Sequence, residues 1–215
     1  MLFGPSFLIS AVLLLLLELL ITSPVTSFTW SGEGNAIDWT IDYAVSGEIL
    51  TFTLTAPTLG WLSVGFTEGG GIIGVYMEIA WVDANGNAQV EDRFAVAHST
   101  PPLDEACASN GVANSQQWTA ISGSEDNVAG TTTVTLSRPI VSLHKQDWNI
   151  VDNGDASRIV LAWSINDSDS FSFHGPNYYV FRLNLFQEKS VEELLLETLA
   201  LDPDVKTSTF TMVSS

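Results

Sequence analysis

Few residues in this chain of 215 could do chemistry, and their surroundings narrow the choice. Three histidines stand at 98, 144 and 174, too far apart to share a local motif. His98 sits beside Ser99-Thr100 after a strand-like run, and His144 lies in SLHKQDW, so both read as loop imidazoles in solvent. His174 differs, because FSFHGPNYY sets it between aromatics and a Gly-Pro turn. An imidazole at such a strand end either hydrogen-bonds locally or faces a ligand. Met77, inside VYMEIAWV, adds a thioether. Cys107 is the one cysteine, so no internal disulfide and no cysteine-based metal cluster can form. Its thiol is buried, free or paired with another chain. No GxSxG turn marks a serine nucleophile. Asp152 and Asp155 bracket the turn Asn153-Gly154, and Asp167 and Asp169 flank another, so neither pair reads as an acid/base couple. Asn166-Asp167-Ser168 is an acceptor sequence for N-glycosylation at Asn166, which a sugar would hold at the surface.

Charge excludes whole classes of partner. Seven Lys plus Arg stand against 25 Asp plus Glu, a formal net charge of -18. A chain so poor in cations lacks the basic patch needed for nucleic acid or an anionic membrane. No DxDxDG-type calcium loop accompanies the acidity, and no metal site is predicted.

The elements that must position these residues are strands. AIDWTIDYAV alternates Ile37, Trp39, Ile41 and Tyr43 with polar residues, and ILTFTLTA alternates Leu50, Phe52 and Leu54 with threonines. That period of two marks half-buried strands of an antiparallel sheet. YMEIAWV divides into Met77, Ile79 and Trp81 on one face and Tyr76, Glu78 and Ala80 on the other. Asn85-Gly86 supplies the left-handed turn that makes this strand and AQVEDRFAV antiparallel neighbours. Gly69-Gly70-Gly71 forms a loop able to approach a ligand or another backbone. A short strand around Trp118, then TTTVTLSRP, RIVLAWSI and YYVFRLNLF, complete an all-β pattern that predicts a β-sandwich. The final TSTFTMVSS also alternates.

Two segments stand apart. Phe7 to Ile21 is nearly continuous apolar sequence broken by Ser10 and Glu18, and Val25-Thr26-Ser27 follows Pro24. This predicts a signal peptide over 1–27 and a secreted product, with a signal anchor as the alternative. Glu18 within so short a run argues against a permanent span. Near the other end, Val191, Leu194, Leu195 and Leu199 recur at helical spacing behind a Ser190/Glu193 capping box. They predict an amphipathic helix over 187–201 that packs on the sandwich or docks a protein partner. The expected organisation is signal peptide 1–27, sandwich 28–186, and helix with tail 187–215.

The order of these features resembles a DOMON domain. The residues that carry the likeness are GW-x-x-VGF from Gly60, the glycine loop, AWVD ending at Asp83, and VEDRFA from Val90. Arg138-Pro139, Gln146-Asp147, Leu161-Ala162-Trp163 and Phe173-His174-Gly175 follow in the family's order. The branch most resembled stands at the N-terminus of dopamine β-hydroxylase and its monooxygenase-X relatives, and the likeness covers residues 28 to 186. It implies an immunoglobulin-like antiparallel sandwich of about ten or eleven strands. In haem-binding members a Met and a His hold haem b between the sheets. His174 matches that histidine, whereas Ile72 occupies the methionine position and Met77 lies five residues on. Other members precede a copper monooxygenase module, whose cysteines and histidine cluster this chain lacks. A carboxylate sometimes linked to a metal in relatives falls here at Val75 or Tyr76, and the cysteine that follows Arg-Pro falls at Leu143 or His144.

The reading that results is a secreted module without catalytic residues of its own, not an enzyme, that binds a ligand or a protein. Its expected site is a pocket between the sheets, lined by Met77, Trp81 and His174 with Arg93 nearby, for a small hydrophobic, phenolic or sugar ligand. The expectation is no resident cofactor. The alternatives are haem b electron transfer through His174, or the N-terminal part of a longer copper-dependent monooxygenase.

Overall fold

The computed structural model describes residues 26–31, 38–69, 71–107, 116–142, 147–164, 166, 168–186 and 209–213. The segment 1–25, the helix expected over 187–201, and His144 lie outside the described residues.

Nine strands with described side chains form two antiparallel sheets. They are β2 (Asp38–Ser46), β3 (Ile49–Ala56), β4 (Leu62–Phe66), β5 (Tyr76–Val82), β6 (Ala88–Phe94), β7 (Thr119–Asp126), β8 (Thr131–Pro139), β9 (Ser157–Trp163) and β10 (Tyr178–Leu183). One sheet runs β2-β3-β8-β7, and the other β10-β9-β4-β5-β6. Beyond β2 the first sheet is extended by backbone pairing of β1 (Thr26–Ser31) and then β11 (Thr209–Val213), the latter within the alternating TSTFTMVSS. The all-β sandwich is as the alternation predicted. Helical structure among the described residues is a single 3₁₀ turn, Asp104–Cys107. The strand expected around Trp118 starts one residue later, and Trp118 itself is buried on the ring of Phe52, 6.2 Å between centroids.

Alternation decides which side chains meet between the sheets. Trp39, Ile41 and Tyr43 of β2 and Leu50, Phe52 and Leu54 of β3 face Leu62, Val64 and Phe66 of β4 and Ile159, Leu161 and Trp163 of β9. Each such side chain withdrawn from water contributes about 1.5–3 kcal/mol. On the outer face of the first sheet the threonines of β3 and β8 pair, Thr53 with Thr135 at 3.0 Å and Thr55 with Thr133 at 2.9 Å. A hydrogen-bonded hydroxyl ladder suits a face that stays wet. The β5–β6 hairpin closes as expected: Gly86 takes φ 80°, and the Asp83 carboxylate accepts the N–H groups of Asn85 and Asn87.

One facing is the reverse of the expectation. Glu78, Ala80 and Val82 of β5 point between the sheets, while Met77 and Ile79 point away from them. Met77 packs with Val75 and Ala95 in a separate small cluster on the outer side of the five-stranded sheet. The period was legible, but an isolated strand does not say which face meets the second sheet, and here a carboxyl faces inward.

Candidate functional site

Among the described residues the space between the sheets, where the pocket was expected, is filled by the core. One cavity that the structure forms is a cup on the outer face of the five-stranded sheet. Outward residues build its floor: Ser63 and Gly65 of β4, Met77 and Ile79 of β5, Val160 and Ala162 of β9, and Val180 of β10. Three loops make its wall, around Gly71–Ile72, His98–Pro101 and Phe171–Gly175. The cavity measures about 550 Å³, within the range of about 300–1,000 Å³ usual for small-molecule sites.

Gly65 is required at the centre of the floor. A Cβ there would lie 2.8 Å from Val75 Cγ1 and 3.0 Å from the Tyr76 carbonyl oxygen, so any side chain would displace β5. The glycine loop expected to approach a ligand does reach the wall, through Gly71 and Ile72.

Of the four candidate ligand residues, Met77 and His174 line the cup, and Trp81 and Arg93 do not. Trp81 lies on the same sheet face and is half-buried, but it pairs with Gln89 toward the hairpin turn. Arg93 lies behind the wall, where its guanidinium binds Glu91 Oε2 at 2.6 Å and donates to the Pro101 carbonyl. His174 packs edge-on against Tyr178 with centroids 5.3 Å apart, and its Nδ1 is buried with no hydrogen-bond partner. Burial holds its pKa below the usual imidazole value, so the ring is neutral at physiological pH. His98, read as a solvated loop residue, is exposed as expected, yet it also lines the mouth of the cup. Nothing local in AVAHST signals that placement. Asn166, the glycosylation candidate, is exposed in a bend.

A second group escaped the sequence entirely. Asp92 of β6, Asp104 of the 3₁₀ turn and Asp147 each bring a carboxylate oxygen within 4.8 Å of the others. Ser142 Oγ donates to Asp147, and the Gln117 N–H donates to Asp92 Oδ2. Glu78, cross-strand from Asp92, is wholly buried and accepts the Val64 N–H on Oε1 at 2.6 Å. Burial pushes Glu78 well above the carboxylate range and Asp92 up to about 7, the neighbouring Asp147 and Asp104 adding to the rise at Asp92. Arg138 lies 3% exposed between the rings of Phe66 and Trp118, and its charge opposes both shifts. Glu78 and Asp92 are thus the two carboxyls here that burial holds toward the protonated form. Positions 92, 104 and 147 come from three segments, so only the folded chain brings them together.

A mouse protein, DBH-like monooxygenase protein 2, is 26% identical over 151 residues, covering 70% of this chain and 22% of that protein. The human Putative DBH-like monooxygenase protein 2 is 28% identical over 127 residues, 59% of this chain and 23% of that protein. The chain therefore spans less than a quarter of the length of these curated relatives. The family model of the DOMON domain matches residues 35–164, which run from the first core strand to the end of β9. The chain belongs to the DOMON domain family.

Proposed function

We propose that this DOMON domain is a secreted binding module that takes a small apolar or phenolic ligand, or the apolar face of a sugar, into the cup. One observation carries the reading: a cavity of about 550 Å³, floored by Met77, Ile79, Val160 and Val180, with His174 in its wall. Such a site combines apolar area, which supplies affinity, with few polar groups, which set orientation. The relatives' names speak of a monooxygenase, but the matched segment is under a quarter of their length. We assign this segment the binding role rather than the chemistry.

The test uses N-phenyl-1-naphthylamine, a neutral apolar dye that brightens on leaving water. The purified chain should bind it saturably. Ala162→Trp, which fills the floor, should weaken binding by about ten-fold or more, since a displaced ligand of this size loses well over 1.4 kcal/mol of burial. Equal affinity in the filled variant would count against the cup.

A second reading keeps haem b. In its favour, Met77 and His174 line one cavity, and a thioether and an imidazole are donor types that would hold haem. Ile72, at the position where haem-binding relatives carry methionine, offers no ligating atom, so Met77 would have to serve. Haem, when bound, would supply one-electron chemistry, and the protein's part would be to hold it in the apolar cup. The purified chain incubated with haemin should then show a Soret band that shifts on dithionite reduction and is lost in His174→Ala. An unchanged spectrum of free haemin sinks this reading and leaves the first standing.

A further inference from the structure

We propose that Arg93 is the brace that sets the aperture of the cup, tying two of its three wall loops to one strand. The inference rests on the cup being the binding site.

Arg93 is one of seven basic residues in a chain of net charge -18, and it is held in a single orientation. Its Nε and Nη2 both donate to Glu91 Oε2, at 3.0 and 2.6 Å, which fixes the plane of the guanidinium. The remaining arm, Nη1, donates to the Pro101 carbonyl in the first wall loop. The face of the same group lies over the Phe171 ring, 5.3 Å to the centroid, in the second wall loop. Phe171 in turn rests on Trp61, with centroids 5.0 Å apart. Pro101, Phe171 and Trp61 all line the cup, whereas Arg93 does not.

Segments 70 residues apart in sequence thus meet at one cation, one at its edge and one on its face. The backbone supports the first of them: the Phe94 N–H donates to Pro102 O, and Arg93 forms an isolated antiparallel bridge with Leu103. Among the described residues no backbone hydrogen bond ties the Phe171 loop to β6, so its link to that strand is the Arg93 side chain. A flat, delocalised cation can donate in its plane and stack on a ring at the same time. Lysine keeps a charged donor but has no flat face to stack, so it holds the ring less firmly. This asymmetry makes the proposal testable, because a merely stabilising surface residue would not separate the two loops.

The experiment is hydrogen exchange by mass spectrometry on the purified chain, its Arg93→Met, Arg93→Lys and Glu91→Gln variants, with N-phenyl-1-naphthylamine as the binding probe. In Arg93→Met, peptides spanning 96–104 and 169–177 should both exchange about ten-fold faster, the scale of a lost charged hydrogen bond. In Arg93→Lys only the 169–177 peptide should quicken. Glu91→Gln should quicken both, because the guanidinium loses its anchor. Dye release should accelerate in each variant in step with the 169–177 peptide. Unchanged exchange at 169–177 in Arg93→Met overturns the proposal, as does a lysine variant that behaves like methionine in both loops. Faster exchange across β3 as well would make Arg93 a determinant of the whole fold and equally overturn it. Wild-type protein that fails to bind the dye refutes the cup as the site while leaving the exchange result to judge the brace.

Discussion

Glu78 and Asp92 face each other across β5 and β6 on the dry side of the sheet, and protons make that placement tolerable. Both have folded pKa values above their unfolded ones, chiefly through burial. The folded chain therefore keeps protons that the unfolded chain releases above about pH 4. Their contribution to stability is fully present below that pH and is lost as pH rises toward the folded values. For Asp92 the rise is from 3.8 to about 7, and at about 1.4 kcal/mol per unit the loss approaches about 4 kcal/mol as an upper figure. Asp92→Asn, measured by urea unfolding between pH 4 and pH 8, should gain stability relative to wild type as pH rises and level off above 7. A difference that is flat across the range would show that Asp92 does not carry this proton. At the same scale, His174 was legible from its neighbours, because an imidazole between aromatics and a Gly-Pro turn is an unusual local setting. His98 was not, since its role comes from Phe171–Gly175 closing opposite it.

At the scale of elements, the strands were legible wherever one face is dry and the other wet. β2, β3 and β8 alternate cleanly because one side packs on the second sheet and the other carries the threonine ladder. β5 defeated the same reasoning. It is covered on both sides, by the core on one and by the cup on the other, so polarity no longer labels the inner face. β7 shows how the sandwich edge is closed. Its Gly123 sits where a Cβ would meet Val82 Cγ2 at 2.8 Å and Ala88 Cβ at 2.9 Å, so the absence of a side chain lets β7 lie over the β5–β6 hairpin. Gly123→Val should cost about 1–3 kcal/mol by overpacking, read as a lower urea midpoint and faster exchange in 119–126. A variant as stable as wild type would show that β7 can move away without penalty.

For the molecule as a whole, the order of glycine turns, Arg-Pro, AWVD and Phe-His-Gly was enough to reach the family, and the match over residues 35–164 agrees. The sequence by itself determined that the chain is a strand-built sandwich, because period-two alternation and turn chemistry are local properties. It also singled out Met77, Trp81, Arg93 and His174 as candidates for a site. Only the tertiary structure decided that Met77 and His174 line a cavity on the outside of one sheet rather than between two, that Trp81 stands apart from it while Arg93 lies behind its wall, and that Asp92, Asp104 and Asp147 converge. The physical reason is the same in each case. Which face of a strand is buried, and which distant loops close over it, depend on the second sheet and on loop packing, and neither is encoded within the span of a single strand.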